Sequence, residues 1–137
     1  MRRNLPVHDL GDLLELPLVA VLATYRKDGN VLLSPVWHEW RAGGFNVVTS
    51  RDDVKARHLR RDSRASIVVC EDTRPFRGLE VRSIAQLVTG DVHETVRRLA
   101  VRYLGETDGA AYAARAADDT LIRLEPGALR AWDFADK

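Results

Sequence analysis

Apolar residues recur along this chain in short runs separated by turn signals, and the period of each run predicts an element. Leu10, Leu13 and Leu14 stand at helical spacing within residues 8–16, and Pro17 ends that segment, so a short amphipathic helix is expected first. Residues 18–25 are rich in valine and leucine and read as a strand. Asp28-Gly29 suits a tight hairpin, and residues 31–40 run back as the partner strand. Arg41-Ala42-Gly43-Gly44 makes a second turn and residues 45–49 a third strand, completing an antiparallel meander. Ser50 or Asp52 then caps a helix running to about Arg61. Residues 64–71 form a fourth strand. A fifth spans 79–88, with a bend expected near Ser83 where the alternation of Leu79, Val81, Ala85 and Leu87 slips.

The remainder switches period. Residues 91–104 place Val92, Val96, Leu99, Ala100 and Tyr103 on one helical face, and residues 109–117 form an alanine-rich second helix. Strands at 121–124 and 129–134 close the chain around Glu125-Pro126-Gly127. Seven short strands with turns between them favour a mainly β (α+β) fold, a small closed or split antiparallel barrel with flanking short helices. At 137 residues, with no repeat or linker, the chain reads as one domain over 1–137.

Composition narrows the function classes. A content of 45% hydrophobic and 30% charged residues is that of a globular protein, and a net charge of +1 gives no global field for nucleic acid, so any cationic site must be local. Nearly all the cations are arginines, and of the three lysines only Lys55 falls inside a promising constellation. Cys70 is the single cysteine, which excludes an intrachain disulfide; following Ile67-Val68-Val69, it is expected to be a buried, inert thiol. The N-terminus lacks an apolar stretch long enough for a signal peptide and no run approaches membrane-spanning length, so a cytoplasmic protein without membrane contact is expected.

Two constellations bear chemistry. In the first, Thr49 and Ser50 end a strand directly before a helix carrying Lys55 and Arg57, so hydroxyls, helix-start amides and two cations can converge on a phosphate. The same residues also describe a solvated basic helix face, and Asp52 and Asp53 would repel a phosphate unless their side chains point away. In the second, Ser34-Pro35-Val36-Trp37-His38 lies on a strand whose proline removes a ladder donor, marking an edge, a bulge or a backbone surface lying against something flat. Two tryptophans filling a barrel interior and its rim explain that segment equally well. The four histidines lack zinc-helix spacing, and no G-x-S-x-G, G-x-x-x-x-G-K-S/T or G-x-G-x-x-G motif is present, which leaves redox chemistry with a borrowed cofactor open.

Five segments in order extend the reading. Val21-Leu22-Ala23-Thr24 with Asp28-Gly29, Ser34-Pro35-Val36-Trp37, residues 54–62, residues 65–69, and Leu124-Glu125-Pro126 with Trp132-Asp133-Phe134 together resemble the flavin and deazaflavin oxidoreductases related to pyridoxamine 5'-phosphate oxidase, and within them the coenzyme F420-dependent branch. The resemblance implies an FMN-binding-type split barrel forming a homodimer, with two cofactor grooves along the interface. It places the phosphate at Thr49, Ser50, Lys55 and Arg57 and the ring near Ser34, Pro35, Val36 and Trp37, with Phe76, Arg77, Gly78 and Trp132 contributed by the neighbouring subunit. Adjacent Arg-Lys, as the pyridoxamine oxidases have it, is replaced here by Val54-Lys55 with Arg57 two positions on, which speaks against pyridoxamine phosphate oxidation and for the deazaflavin branch. The implied activity is hydride transfer from reduced F420 to an unsaturated or quinone-like small molecule. The alternatives are an FMN-dependent reductase or oxidase, or a cofactor-binding protein without turnover. His38 and Tyr25 stand near the implied groove as proton-donor candidates, and no histidine has a context for axial haem ligation.

Overall fold

The computed structural model describes residues 1–136; Lys137 lies outside them. Ten antiparallel strands divide between two sheets. β1 (Arg2–Arg3), β2 (Ala20–Tyr25), β3 (Val31–Val36), β6 (Arg64–Cys70), β7 (Gly78–Ile84) and β10 (Ala128–Asp133) form the first, in the order β1-β10-β7-β6-β2-β3. β4 (Glu39–Arg41), β5 (Gly44–Ser50), β8 (Gln86–Val88) and β9 (Asp119–Leu124) form the second, in the order β4-β5-β9-β8. Three helices complete the fold: α1 (Val54–Arg61), α2 (His93–Leu104) and α3 (Glu106–Arg115).

The strand count exceeds the expected six or seven because two long runs each serve both sheets and because Arg2–Arg3 adds an unexpected short strand beside β10. The run expected at 31–40 leaves the first sheet after Val36 and re-enters the second at Glu39; the run expected at 79–88 crosses at Ala85, two residues beyond the anticipated bend. Those crossings split the barrel. They occur where alternation must change sides: Glu39, on the outward phase of β3, is buried against Asn46 and Arg98 in the second sheet. Pro35 sits on β3, the edge of its sheet, where a missing amide leaves no ladder partner unsatisfied.

Two other expectations are corrected. Residues 8–16 form not one helix but two 3₁₀ turns, Val7–Leu10 and Leu13–Glu15, broken at Gly11, whose φ of 61° no α-helix accommodates. Leu10 and Leu13 still reach the core. Cys70 is exposed, since it ends β6 one residue past the buried Val69 and so faces outward.

The core lies between the sheets, around Phe45, Leu22, Ile67, Leu79, Ile122 and Leu124, all within 1% of complete burial. A smaller cluster forms on the other face of the second sheet, where Val92, Val96 and Ala113 of the α2–α3 hairpin pack on Val48 and Leu121. β5 is therefore covered on both faces, which accounts for its almost unbroken burial. Gly109, expected to start the last helix, lies inside α3, where a side chain would meet the Val101 backbone of α2 at 2.5 Å.

That contact sets two effects against each other in Gly109→Ala. Alanine gains about 1 kcal/mol of helix propensity, whereas overpacking against backbone costs about 1–3 kcal/mol. The backbone cannot turn aside as a side chain would, so the variant is expected to unfold at lower urea concentration than wild type; a raised midpoint would show that the two helices do not approach so closely.

Candidate functional site

The ends of β3 and β5, the start of α1 and the α2–α3 hairpin enclose two adjoining hollows. One, about 370 Å³, is lined by Val19, Pro35, Val36, Trp37, Val48, Thr49, Lys55 and Tyr112. The other, about 220 Å³, lies behind Trp37 and is lined also by Ser50, Asp53, Val96, Leu99 and Asp119. Trp37, Val48, Thr49 and Tyr112 form the wall common to both. The larger hollow alone falls in the size range of small-molecule sites.

Trp37 is set by the helical hairpin. Its indole stacks on Tyr103 at 5.1 Å between centroids and 7° between planes, and Tyr112 tilts toward it at 5.5 Å. Tyr103 is held in turn: its hydroxyl donates to the Leu18 carbonyl at 2.6 Å and accepts from the His38 amide at 3.0 Å. The hairpin is tied down by Arg98, which forks onto the Glu39 carboxylate at 2.8 Å, and by Arg102, which donates to the carbonyls of Leu14, Glu15 and Leu16. Burial alone would raise the Glu39 carboxyl, but Arg98 and Asn46 hold it below its ordinary range.

The polar end is organised by Asp53, which is the N-cap of α1 in place of the expected Ser50 or Asp52; its carboxylate accepts from the Lys55 amide at 3.4 Å. Its side chain does not point away from the hollows. It accepts from the Thr49 hydroxyl at 3.1 Å and from Lys55 Nζ at 3.0 Å. Burial would raise the Asp53 carboxyl, and these bonds together with the Lys55 charge hold it low instead. An internal carboxylate thus already occupies two of the groups expected to bind phosphate, because a cap residue must stand beside the first amides of its helix.

Of the expected site residues, Pro35, Val36, Trp37, Thr49, Ser50 and Lys55 line the hollows. Ser34 does not; it stands opposite Leu22 on the inward phase of β3. Arg57 is exposed on α1, two residues past Lys55 and hence on another face of the helix. Gly78 and Trp132 lie on β7 and β10, toward the opposite end of the first sheet from β3, Gly78 directly beneath the Trp132 ring and Arg130 stacked on it at 4.9 Å. Arg77 there bonds Glu71, Asp12 and the Leu10 carbonyl, and Phe76 packs edge-on against Phe134. None of these four lines the hollows of its own chain.

Both proton-donor candidates are displaced. Tyr25 lies outside the hollows under the Arg64 guanidinium. His38 is completely buried behind the wall, edge-on to Phe45 and Tyr103, with neither ring nitrogen hydrogen-bonded. Burial and the nearby Arg102 charge push its pKa down to about 4, so it is neutral near pH 7. Sequence reasoning missed Tyr112, Asp119 and the cap role of Asp53. The only sign of Tyr112 was one aromatic in a run of small residues.

The chain matches the family model described as pyridoxamine 5'-phosphate oxidase over residues 8–133. Among solved structures, a conserved hypothetical protein of Mycobacterium tuberculosis is similar at 25% identity and a TM-score of 0.79, covering 95% of this chain and 86% of the other. A protein titled an F420 reductase is 28% identical with a TM-score of 0.72, covering 86% and 93%. The haem storage protein HutZ of Vibrio cholerae, at 20% identity, TM-score 0.69 and coverage of 90% and 92%, shares the fold. No curated protein matches. Among the described residues no helix is long and apolar enough to cross a membrane.

His38 supplies a pH signature of the wall. Its folded pKa lies below the ordinary 6.5, so the unfolded chain takes up a proton first as pH falls; the stability it contributes is complete above 6.5 and is lost on descent toward about 4. On the order of 3 kcal/mol is expected to disappear across that window. Urea titrations of wild type and His38→Leu at several pH values check it, the variant showing the shallower decline.

Proposed function

The chain belongs to the pyridoxamine 5'-phosphate oxidase family, and on that footing we propose that it is an oxidoreductase transferring a hydride between reduced coenzyme F420 and an unsaturated or quinone-like small molecule. The observation that carries this reading is the Lys55 hollow: a slot with Trp37, Tyr112, Val48 and Pro35 along it and an ammonium and a hydroxyl at one end. Flat apolar walls ending in cationic and hydroxyl donors suit a planar ring with an attached phosphate. The likeness to a protein titled an F420 reductase supports the deazaflavin over FMN.

The hydride chemistry is supplied by the deazaflavin when bound. The chain's own residues bind, orient and exclude water. Lys55 and Thr49 hold the phosphate, Lys55 being shared between it and Asp53. Trp37, fixed by Tyr103, gives the ring a rigid wall, and Val48 and Val36 keep water from it. His38 plays no part in proton delivery, since it is sealed behind that wall.

The hollow opens beside the edge strand β3, where Val31 and Leu33 are exposed at 47% and 64%, and Val19, just before β2, is exposed at 55%. A second copy of the chain covers this apolar edge in our reading, forming a homodimer in which Phe76, Arg77, Gly78 and Trp132 of one subunit approach the groove of the other.

Lys55→Ala is expected to weaken F420 binding by about 1.5–3 kcal/mol, roughly tenfold to 150-fold, with an unchanged circular dichroism spectrum. Asp53→Asn, which still caps α1 while releasing Lys55, is expected to tighten it. Fluorescence titration with F420 and with FMN in parallel checks both. Micromolar quenching by FMN alone would overturn the deazaflavin reading, and unchanged affinity in Lys55→Ala would move the phosphate elsewhere.

A further inference from the structure

The cavity behind Trp37 is chemically unlike the Lys55 hollow it adjoins. Trp37 and Tyr112 wall it, Val96 and Leu99 floor it, and no lysine or arginine lines it. Two carboxylates open on it, in different states. Asp53 is neutralised by Lys55 and hydrogen-bonded by Thr49. Asp119, half-buried on β9 opposite Ser50, has neither a hydrogen-bond donor nor a cation among the described residues. Burial and the neighbouring Asp118 charge hold its carboxyl above the ordinary range. Arg51, on the residue after Ser50, sits 4.0 Å from Asp118 instead.

An uncompensated, partly desolvated carboxylate is unfavourable unless a positive charge joins it. Trp37 and Tyr112 line the same cavity, and a cation over either ring gains further attraction from its negative face. An anion meets the opposite on both counts.

We propose that this cavity binds an organic cation, a protonated or quaternary nitrogen on a small apolar or aromatic molecule, with Asp119 as its counter-charge and Trp37 and Tyr112 as its walls. Its volume of about 220 Å³ limits the occupant to a small molecule. Because Trp37, Val48, Thr49 and Tyr112 belong to both hollows, a cation here sits across that shared wall from whatever fills the Lys55 side.

Calorimetric titration of the full chain with N-methylquinolinium, with quinoline in its uncharged form at mildly alkaline pH, and with naphthoate separates charge from shape. N-methylquinolinium is expected to bind about tenfold tighter than quinoline or more, and naphthoate more weakly than either. Asp119→Asn, nearly isosteric, is expected to bring the first two to parity, whereas Asp118→Asn, outside the cavity, retains the preference. Tyr112→Ala is expected to weaken N-methylquinolinium without touching any charge. Equal binding of the charged and neutral probes, no binding of either, or a preference that survives Asp119→Asn overturns the proposal. F420 titration of Asp119→Asn keeps the two readings apart: intact F420 binding with lost cation preference supports the cavity's role, and wild type that takes the cation but no F420 leaves the cavity standing while the cofactor reading falls.

Discussion

Strand β5 is covered on both faces, and that double burial organises everything near the site. Phe45 and Val47 fill the barrel, while Val48, one phase over, takes the weight of the α2–α3 hairpin. A strand so enclosed cannot shift register without exposing one set of side chains or burying the wrong one. Its last residues, Thr49 and Ser50, are therefore delivered to one place, directly before α1 and directly opposite Thr120 and Asp119. The site is the consequence of a strand running out of partners at a fixed point.

Aromatic stacking then converts the hairpin from cover into architecture. Trp37 leaves the first sheet at the crossing between β3 and β4, where no ladder holds it, and Tyr103 of α2 takes over that task. Tyr103 is anchored to Leu18 and His38, and α2 to Glu39 and to the carbonyls of the second 3₁₀ turn. The wall dividing the two hollows thus depends on residues more than sixty positions from Trp37 in the chain. His38, neutral and without a hydrogen-bond partner, is enclosed by the same packing.

Electrostatically the site is divided. Lys55 faces one hollow and Asp119 the other, and Asp53 between them joins Lys55 to Thr49 while capping α1. A single cap residue sets how much of the Lys55 charge reaches an incoming anion, a coupling between helix stability and ligand binding at one carboxylate.

Period and turn chemistry carried most of the fold. The Asp28-Gly29 hairpin, the Arg41–Gly44 turn, β6, α2 and the closing pair around Pro126 all follow from local spacing, because each is decided by neighbours within a few residues. So does the edge position of Pro35, which a missing amide dictates. Local spacing also brought Thr49, Ser50 and Lys55 together, through adjacency of strand end and helix start. What it could not decide were the matters settled between distant segments. The crossings at residues 37–38 and 85, the burial of Glu39, the Gly109 contact and the Tyr112 and Asp119 walls arise from which sheet claims a strand and where a helical hairpin lands. Alternation along one strand records which side is covered, but what covers it is contributed by another part of the chain.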